Sequence, residues 1–128
     1  MRLLLDTHTL VWALADPSRL SVRARAAVMN PSADVYVSMV SAWELAILQG
    51  LGRVHLRTSL ESVFSEGLAA IRARLLPIQL RHVVTLGALP HYHRDPFDRL
   101  LLATAVGERL ALVSRDGAFA QYGVSVVW

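Results

Sequence analysis

Short apolar runs alternate along the chain with longer stretches in which apolar residues recur every three or four positions. The runs Arg2 to Leu5, Val35 to Ser38, Leu75 to Ile78, Ala111 to Val113 and Val124 to Val127 are each bounded by a turn residue or a helix start and predict buried strands. Helical spacing covers His8 to Ala15, Ser21 to Met29, Ser41 to Gln49, Ser59 to Arg74, Leu80 to Leu89 and Phe97 to Arg109, with a short helical turn at Gly117 to Gln121. Thr58 with Glu61 and Ser41 with Glu44 have capping-box spacing, and Asp95 stands before Pro96, a favoured first helical residue. Strands that alternate with helices pair in parallel through right-handed crossovers. The expected architecture is therefore an α/β fold, a three-layer α/β/α sandwich around a parallel sheet of about five strands.

Composition narrows the class. A chain of 128 residues, 54% hydrophobic and 18% charged, suits one domain over residues 1–128 and a sheet covered on both faces. The absence of cysteine rules out a disulfide scaffold, a thiolate zinc site and a cysteine nucleophile. Met1 to Leu5 is too short for the apolar part of a signal peptide, so a cytoplasmic location is expected. No stretch reaches the roughly 18 apolar residues of a membrane helix, and the richest, Leu100 to Val106, reads as a core helix. The net charge of +3 is carried entirely by arginine, 13 residues without one lysine. Arginine's planar fork suits phosphate, although genome composition explains the bias equally well.

The topology gives the acids their meaning. Asp6 ends the first strand, Glu44 lies in the first turn after the second, Asp98 lies in the first turn of the helix entering the fourth, and Asp116 follows the fourth. All four fall on the carboxyl edge of the sheet, where open α/β sheets bind their ligands. Converging carboxylates repel unless they take up protons or hold a cation. Mg2+ or Mn2+ is the matching cofactor, because these ions favour hard oxygen donors and leave positions for water and phosphate. Each acid also has a plain structural explanation. Glu44 closes a capping box with Ser41, Asp98 is a favourable charge in a first helical turn, and Asp116 starts the turn at Gly117. Asp6 resists such an explanation, since a charge directly after Leu3 to Leu5 needs a partner; Asp95 is read as an N-cap. His91 and His93 lie in a polar loop and read as loop surface rather than a zinc site, with His93, Arg94 and Tyr92 able to touch RNA. Gly50 and Gly52 lack the lysine and the spacing of a phosphate-binding loop.

The segments Leu3 to His8, Val37 to Ala46, Leu89 to Leu101 and Leu112 to Asp116, in that order and spacing, resemble the PIN domain ribonuclease family, in its VapC-like toxin branch. The resemblance spans essentially the whole chain. It implies a Mg2+- or Mn2+-dependent endoribonuclease acting on single-stranded or structured RNA, commonly the toxin of a toxin and antitoxin pair. By the same resemblance Asp6, Glu44, Asp98 and Asp116 are catalytic and metal-binding, with Thr7 and Ser114 as small hydroxyl groups beside them. Many relatives carry a basic residue where this chain has Leu48 and Gln49, so Arg99 and Arg115, each adjacent to an expected ligand, take the role of phosphate contacts together with His93 and Arg94.

Expected partners are RNA, an antitoxin protein and a second copy of the chain, with no membrane. The homodimer rests on Trp12, Leu14, Leu45 and Leu48 exceeding the needs of one small core. The antitoxin groove is expected between the helices Ser41 to Gln49 and Ser59 to Arg74. Two other readings compete. A phosphoaspartyl phosphatase would place a second Asp where His8 stands and would want a late lysine. A catalytically silent PIN-like RNA- or protein-binding module would have no need to keep all four acids.

Overall fold

The computed structural model describes residues 1–128. Five strands, β1 (Arg2–Leu5), β2 (Asp34–Ser38), β3 (Ala73–Leu76), β4 (Ala111–Val113) and β5 (Val126–Val127), form one sheet in the order β3-β2-β1-β4-β5. Every pairing is parallel, with Leu5 level with Val37 on one side and Val113 on the other. The chain first winds from β1 outward to β3 and then crosses back to β4, so the direction of winding reverses between β1 and β4. A crevice opens there beyond the carboxyl ends of the two strands.

Both faces of the sheet are covered, and the strand alternation assigns residues to each. Leu3, Leu5, Val35, Val37, Val113 and Val127 turn to a core completed by Leu10, Leu20, Ala24, Val28, Leu45 and Leu68. These come from α1 (Thr7–Ala15), α2 (Val22–Met29), α3 (Met39–Gly50) and α5 (Leu68–Ala70), with Leu20 from the turn between α1 and α2. Leu4 and Leu112 turn to the opposite core, filled by Leu101, Leu102, Ala105 and Leu110, with Phe119 closing one end. That layer is α6 (Leu80–Ala88) and α7 (Pro96–Glu108). The continuous apolar runs Leu3 to Leu5 and Leu100 to Ala103 are thus each buried because something lies on every side of them.

Several expected boundaries move, for identifiable reasons. The helix expected over Ser59 to Arg74 ends at α5, because Arg72 turns to a positive φ of 55° and the chain then enters β3. It also contains α4 (Leu60–Ser62) and a π-type turn at Val63–Gly67. β3 starts two residues before the expected run and stops at Leu76, since Pro77 has no N–H to continue the ladder. The cap of α3 is Ser38, whose hydroxyl accepts from the Val40 N–H at 3.0 Å, and not Ser41. Ser59 rather than Thr58 caps α4. Asp95 caps α7 as expected, accepting from the N–H groups of Phe97 at 2.8 Å and Asp98 at 3.3 Å. No helix is long and apolar enough to cross a membrane.

Candidate metal centre

His93, Asp98 and Asp116 gather at the crevice between β1 and β4, and Asp6 and Glu44 stand near enough for their charges to act on Asp98. Asp6 leaves β1 and caps α1, its Oδ1 accepting from the Thr9 N–H at 2.8 Å. Its other oxygen accepts the Ser114 hydroxyl, contributed by the residue after β4. The Ser114 oxygen in turn accepts the Asp116 N–H at 3.0 Å, so one buried serine links Asp6 to the chain that carries Asp116. A third tie crosses the same junction, the Thr9 hydroxyl donating to the Val113 carbonyl at 3.0 Å.

Glu44 arrives from α3. With Ser38 as the cap, Glu44 is in the second helical turn, on the same face as Ser41 three residues before it. The buried Thr7 hydroxyl donates to Glu44 Oε1 at 2.6 Å and lies 3.0 Å from the Ser41 hydroxyl. Ser41 therefore acts in the packing between α1 and α3, which corrects the capping-box reading. Thr7 and Ser114 each hydrogen-bond to one carboxylate.

Asp98 and Asp116 approach from the other side, and His93 stands against both. Its Nε2 is 3.1 Å from Asp116 Oδ2 and 3.4 Å from Asp98 Oδ2. One ligand atom from each of the three lies within 4.8 Å of the others. The imidazole is stacked on Phe119 with the planes 9° apart and centroids 5.4 Å apart, and the His93 N–H donates to the Tyr122 hydroxyl at 2.7 Å. His93 was expected as an RNA contact on an exposed loop; it is half-buried and belongs to the acid cluster. No local feature of the sequence shows this, because the contact depends on Asp98 at the start of α7 and Asp116 after β4 converging at the carboxyl end of that strand.

The electrostatics show what the cluster lacks. Burial, and next the neighbouring Asp95 charge, push the Asp98 carboxyl from its ordinary 3.8 up to about 7; Glu44 and Asp6 act in the same direction, and only His93 opposes them. None of the four acids forms an ion pair with an arginine. Hard oxygen donors, mutual repulsion and a proton retained near neutrality describe a site that fits a divalent cation.

The arginines divide. Arg99 follows Asp98 directly, but adjacent helical residues face different ways. Its buried guanidinium donates to the carbonyl oxygens of Pro90 at 2.8 Å, Leu86 at 3.3 Å and Leu89 at 3.4 Å. The expectation that Arg99 contacts phosphate is corrected: it ties the end of α6 and the start of the His93 loop to α7. Arg94 and Arg115 are exposed, and Arg94 lines a cleft of about 410 Å³ together with His91, His93 and Arg99. Tyr92 is exposed and lies against Tyr122 at 5.1 Å between ring centroids.

The PIN domain family profile matches residues 3–124. The chain belongs to the PIN domain family. It is 34% identical over 114 residues to Ribonuclease VapC22 of Mycobacterium tuberculosis (strain ATCC 25618 / H37Rv), covering 88% of this chain and 85% of that protein. Solved structures with the same fold include VapBC2 from Rickettsia felis bound to a promoter DNA fragment, at TM-score 0.71 and 17% identity over 98% of this chain and 97% of that one. FitAcB from Neisseria gonorrhoeae matches at TM-score 0.66 and 22% identity over 97% and 95% of the two chains.

Proposed function

We propose that the chain is a Mg2+- or Mn2+-dependent endoribonuclease and the toxin of a toxin and antitoxin pair. The observation that carries this reading is the convergence of Asp6, Glu44, Asp98 and Asp116 at the switch point of the sheet without an arginine partner. The named relative, Ribonuclease VapC22, supports RNA as the substrate. The four carboxylates would hold the ion. When bound, it polarises the scissile phosphoryl group and lowers the pKa of the attacking water. The protein's own part is orientation: Thr7 fixes Glu44, Ser114 fixes Asp6 and bears on Asp116, and the Arg99 clamp holds the loop of His93. Arg94 and Arg115, free at the rim, would hold the RNA backbone.

Cleavage of a defined RNA by the purified chain, with and without EDTA, tests the reading. Asp6→Asn and Asp116→Asn should each reduce turnover at least about a hundredfold without lowering the thermal midpoint measured in EDTA. Metal binding without any cleavage would leave a silent binding module instead.

An antitoxin is the second half of the reading, and the groove we assign to it keeps the expected segment Ser59 to Arg74 but pairs it with α1 in place of Ser41 to Gln49. The open apolar groove, of about 570 Å³, runs between α1 and the segment 55–70 and is lined by Val11, Leu14, Leu56 and Val63. Leu48 on α3 is not part of it. His55, Arg57 and Glu66 also line it, so the groove suits an apolar antitoxin segment flanked by charges of both signs. For the second copy, the residues first considered are largely used internally: Leu45 is fully buried, and Trp12 packs on Trp128 at 5.9 Å between centroids. The apolar stripe left exposed on α3 is Met39, Trp43 and Ile47, continued by Leu51, and it is the surface assigned to the homodimer.

A further inference from the structure

We infer that His93 is a hydrogen-bond donor standing where the metal would act, its Nε2–H given to Asp116 beside Asp98 until an ion takes these carboxylates, and that it is not itself a metal ligand. This rests on the metal-dependent reading above. By spacing alone, one nitrogen and two oxygens within 4.8 Å form a plausible ligand triad. The hydrogen bonds around the ring point the other way. Nδ1 accepts the Asp95 N–H at 3.3 Å. A neutral imidazole carries one N–H, so with the Nδ1 lone pair engaged the proton resides on Nε2. Nε2 donates to Asp116 Oδ2 at 3.1 Å, and Asp98 Oδ2 lies 3.4 Å away without a hydrogen bond.

For Nε2 to bind a metal its proton would have to move to Nδ1, and that nitrogen would then confront the Asp95 amide donor to donor. The ring cannot readily turn to avoid this. Phe119 covers one face, and the main chain of His93 is tied to Tyr122. Asp95 is fixed as well, because its side chain caps α7. The donor role needs no rearrangement, whereas the ligand role breaks at least one bond. An ion that binds Asp116 together with Asp98 therefore competes with the Nε2–H for the Asp116 carboxylate.

Calorimetric titration of MnCl2 into the metal-free full-length chain separates the two roles without measuring activity. Hydrogen bonds to charged groups are typically strong enough that deleting the donor in His93→Ala should tighten Mn2+ binding by about threefold to tenfold. His93→Gln retains an N–H donor of similar reach and should stay within about twofold of the unsubstituted chain. His91→Ala, at an exposed position of the same loop, is the control. Nitrogen NMR of the unsubstituted metal-free chain should show His93 protonated at Nε2 and not at Nδ1, and still so after Mg2+ is added. Weaker or unchanged Mn2+ binding by a folded His93→Ala, or an unprotonated Nε2, overturns the inference. Absence of Mn2+ binding by the unsubstituted chain would instead remove the metal reading on which it depends.

Discussion

Replacing Asp98 by asparagine should stabilise the metal-free protein, and the size of the effect follows from its surroundings. The Asp98 carboxyl is raised from 3.8 to about 7 by burial first and by the charge of Asp95 next, with Glu44 and Asp6 adding to it. About three pKa units at 1.36 kcal/mol each give a ceiling of about 4 kcal/mol above pH 7. Asparagine forfeits the favourable charge in the first turn of α7, about 0.3–1 kcal/mol. A net gain of about 2–3.5 kcal/mol is expected at pH 8. The pH dependence carries the sign. The folded pKa is raised, so the protonated group contributes its stability fully below pH 4, where both states hold the proton. Stability then falls as the unfolded state ionises alone, and the contribution is lost by the time the pH has risen through about 7. The asparagine variant has no such loss, and its advantage should grow from near zero at pH 4 to its full value above pH 7.

Urea denaturation in EDTA at pH 4, 6 and 8 reads this directly, provided the slope with denaturant is the same for both chains. Millimolar Mg2+ should then reverse the ranking, because an ion at a hundred times its dissociation constant stabilises the unsubstituted chain by about 2.7 kcal/mol and the variant by less. A variant that is less stable than the parent at pH 8 in EDTA, or one whose advantage is the same at pH 4, would refute the electrostatic account.

Arg99→Ala should lower stability by about 2–4 kcal/mol, because three carbonyl oxygens around a buried guanidinium lose their donor together; Arg99→Lys should recover little, which thermal melts of both variants would show. Glu108 is held below its ordinary 4.5 chiefly by the hydrogen bond from the buried His82, at 2.8 Å, and then by Arg81. That contribution is present above pH 4.5 and lost as the pH falls, so Glu108→Gln should be about 1 kcal/mol less stable at pH 7 and show a smaller difference at pH 3. Leu56→Glu should weaken capture of a co-expressed antitoxin at least about tenfold while RNA cleavage is unchanged, as measured on the same preparation. Ile47→Glu, in the exposed stripe of α3, should sediment as a monomer at concentrations where the parent chain is dimeric.

The strands and the acid positions were legible because each rests on a pattern that the fold cannot disguise. Leu3 to Leu5 followed by Asp6 is a buried strand with a charge at its end, and that charge had to be answered by something at the sheet's edge. The order of elements along the chain was enough to bring Glu44, Asp98 and Asp116 to the same edge. What escaped were choices between equivalent local signals. Ser38 and Ser41 are both good caps, and the three-residue step from Ser41 to Glu44 that suggests a capping box is also the step that puts two residues on one helix face. In the structure it serves the second purpose, and both residues meet Thr7. Arg72 ends a helical pattern without glycine or proline, which sequence spacing has no means of showing. Arg99 was misjudged because adjacency to Asp98 in sequence places it about 100° away around α7.

Convergence of like charges has a structural consequence beyond metal binding. Three of the acids at this edge, Glu44, Asp6 and Asp116, are held by groups that have nothing to do with their charge: a threonine on α1, a serine after β4, the backbone at a helix start. Such short ties fix position without neutralising the carboxylates, as an arginine would. A salt bridge in their place would make the metal-free protein more stable and would also fill the crevice with a cation that the ion must expel. His93 is the single intermediate solution, since it can occupy the gap between Asp98 and Asp116 as a neutral donor. The remaining repulsion raises the Asp98 carboxyl, so part of the fold's stability is given up where a divalent ion can restore it. Stability of the metal-free chain and affinity for the ion should therefore move in opposite directions for any substitution that removes a charge at this edge.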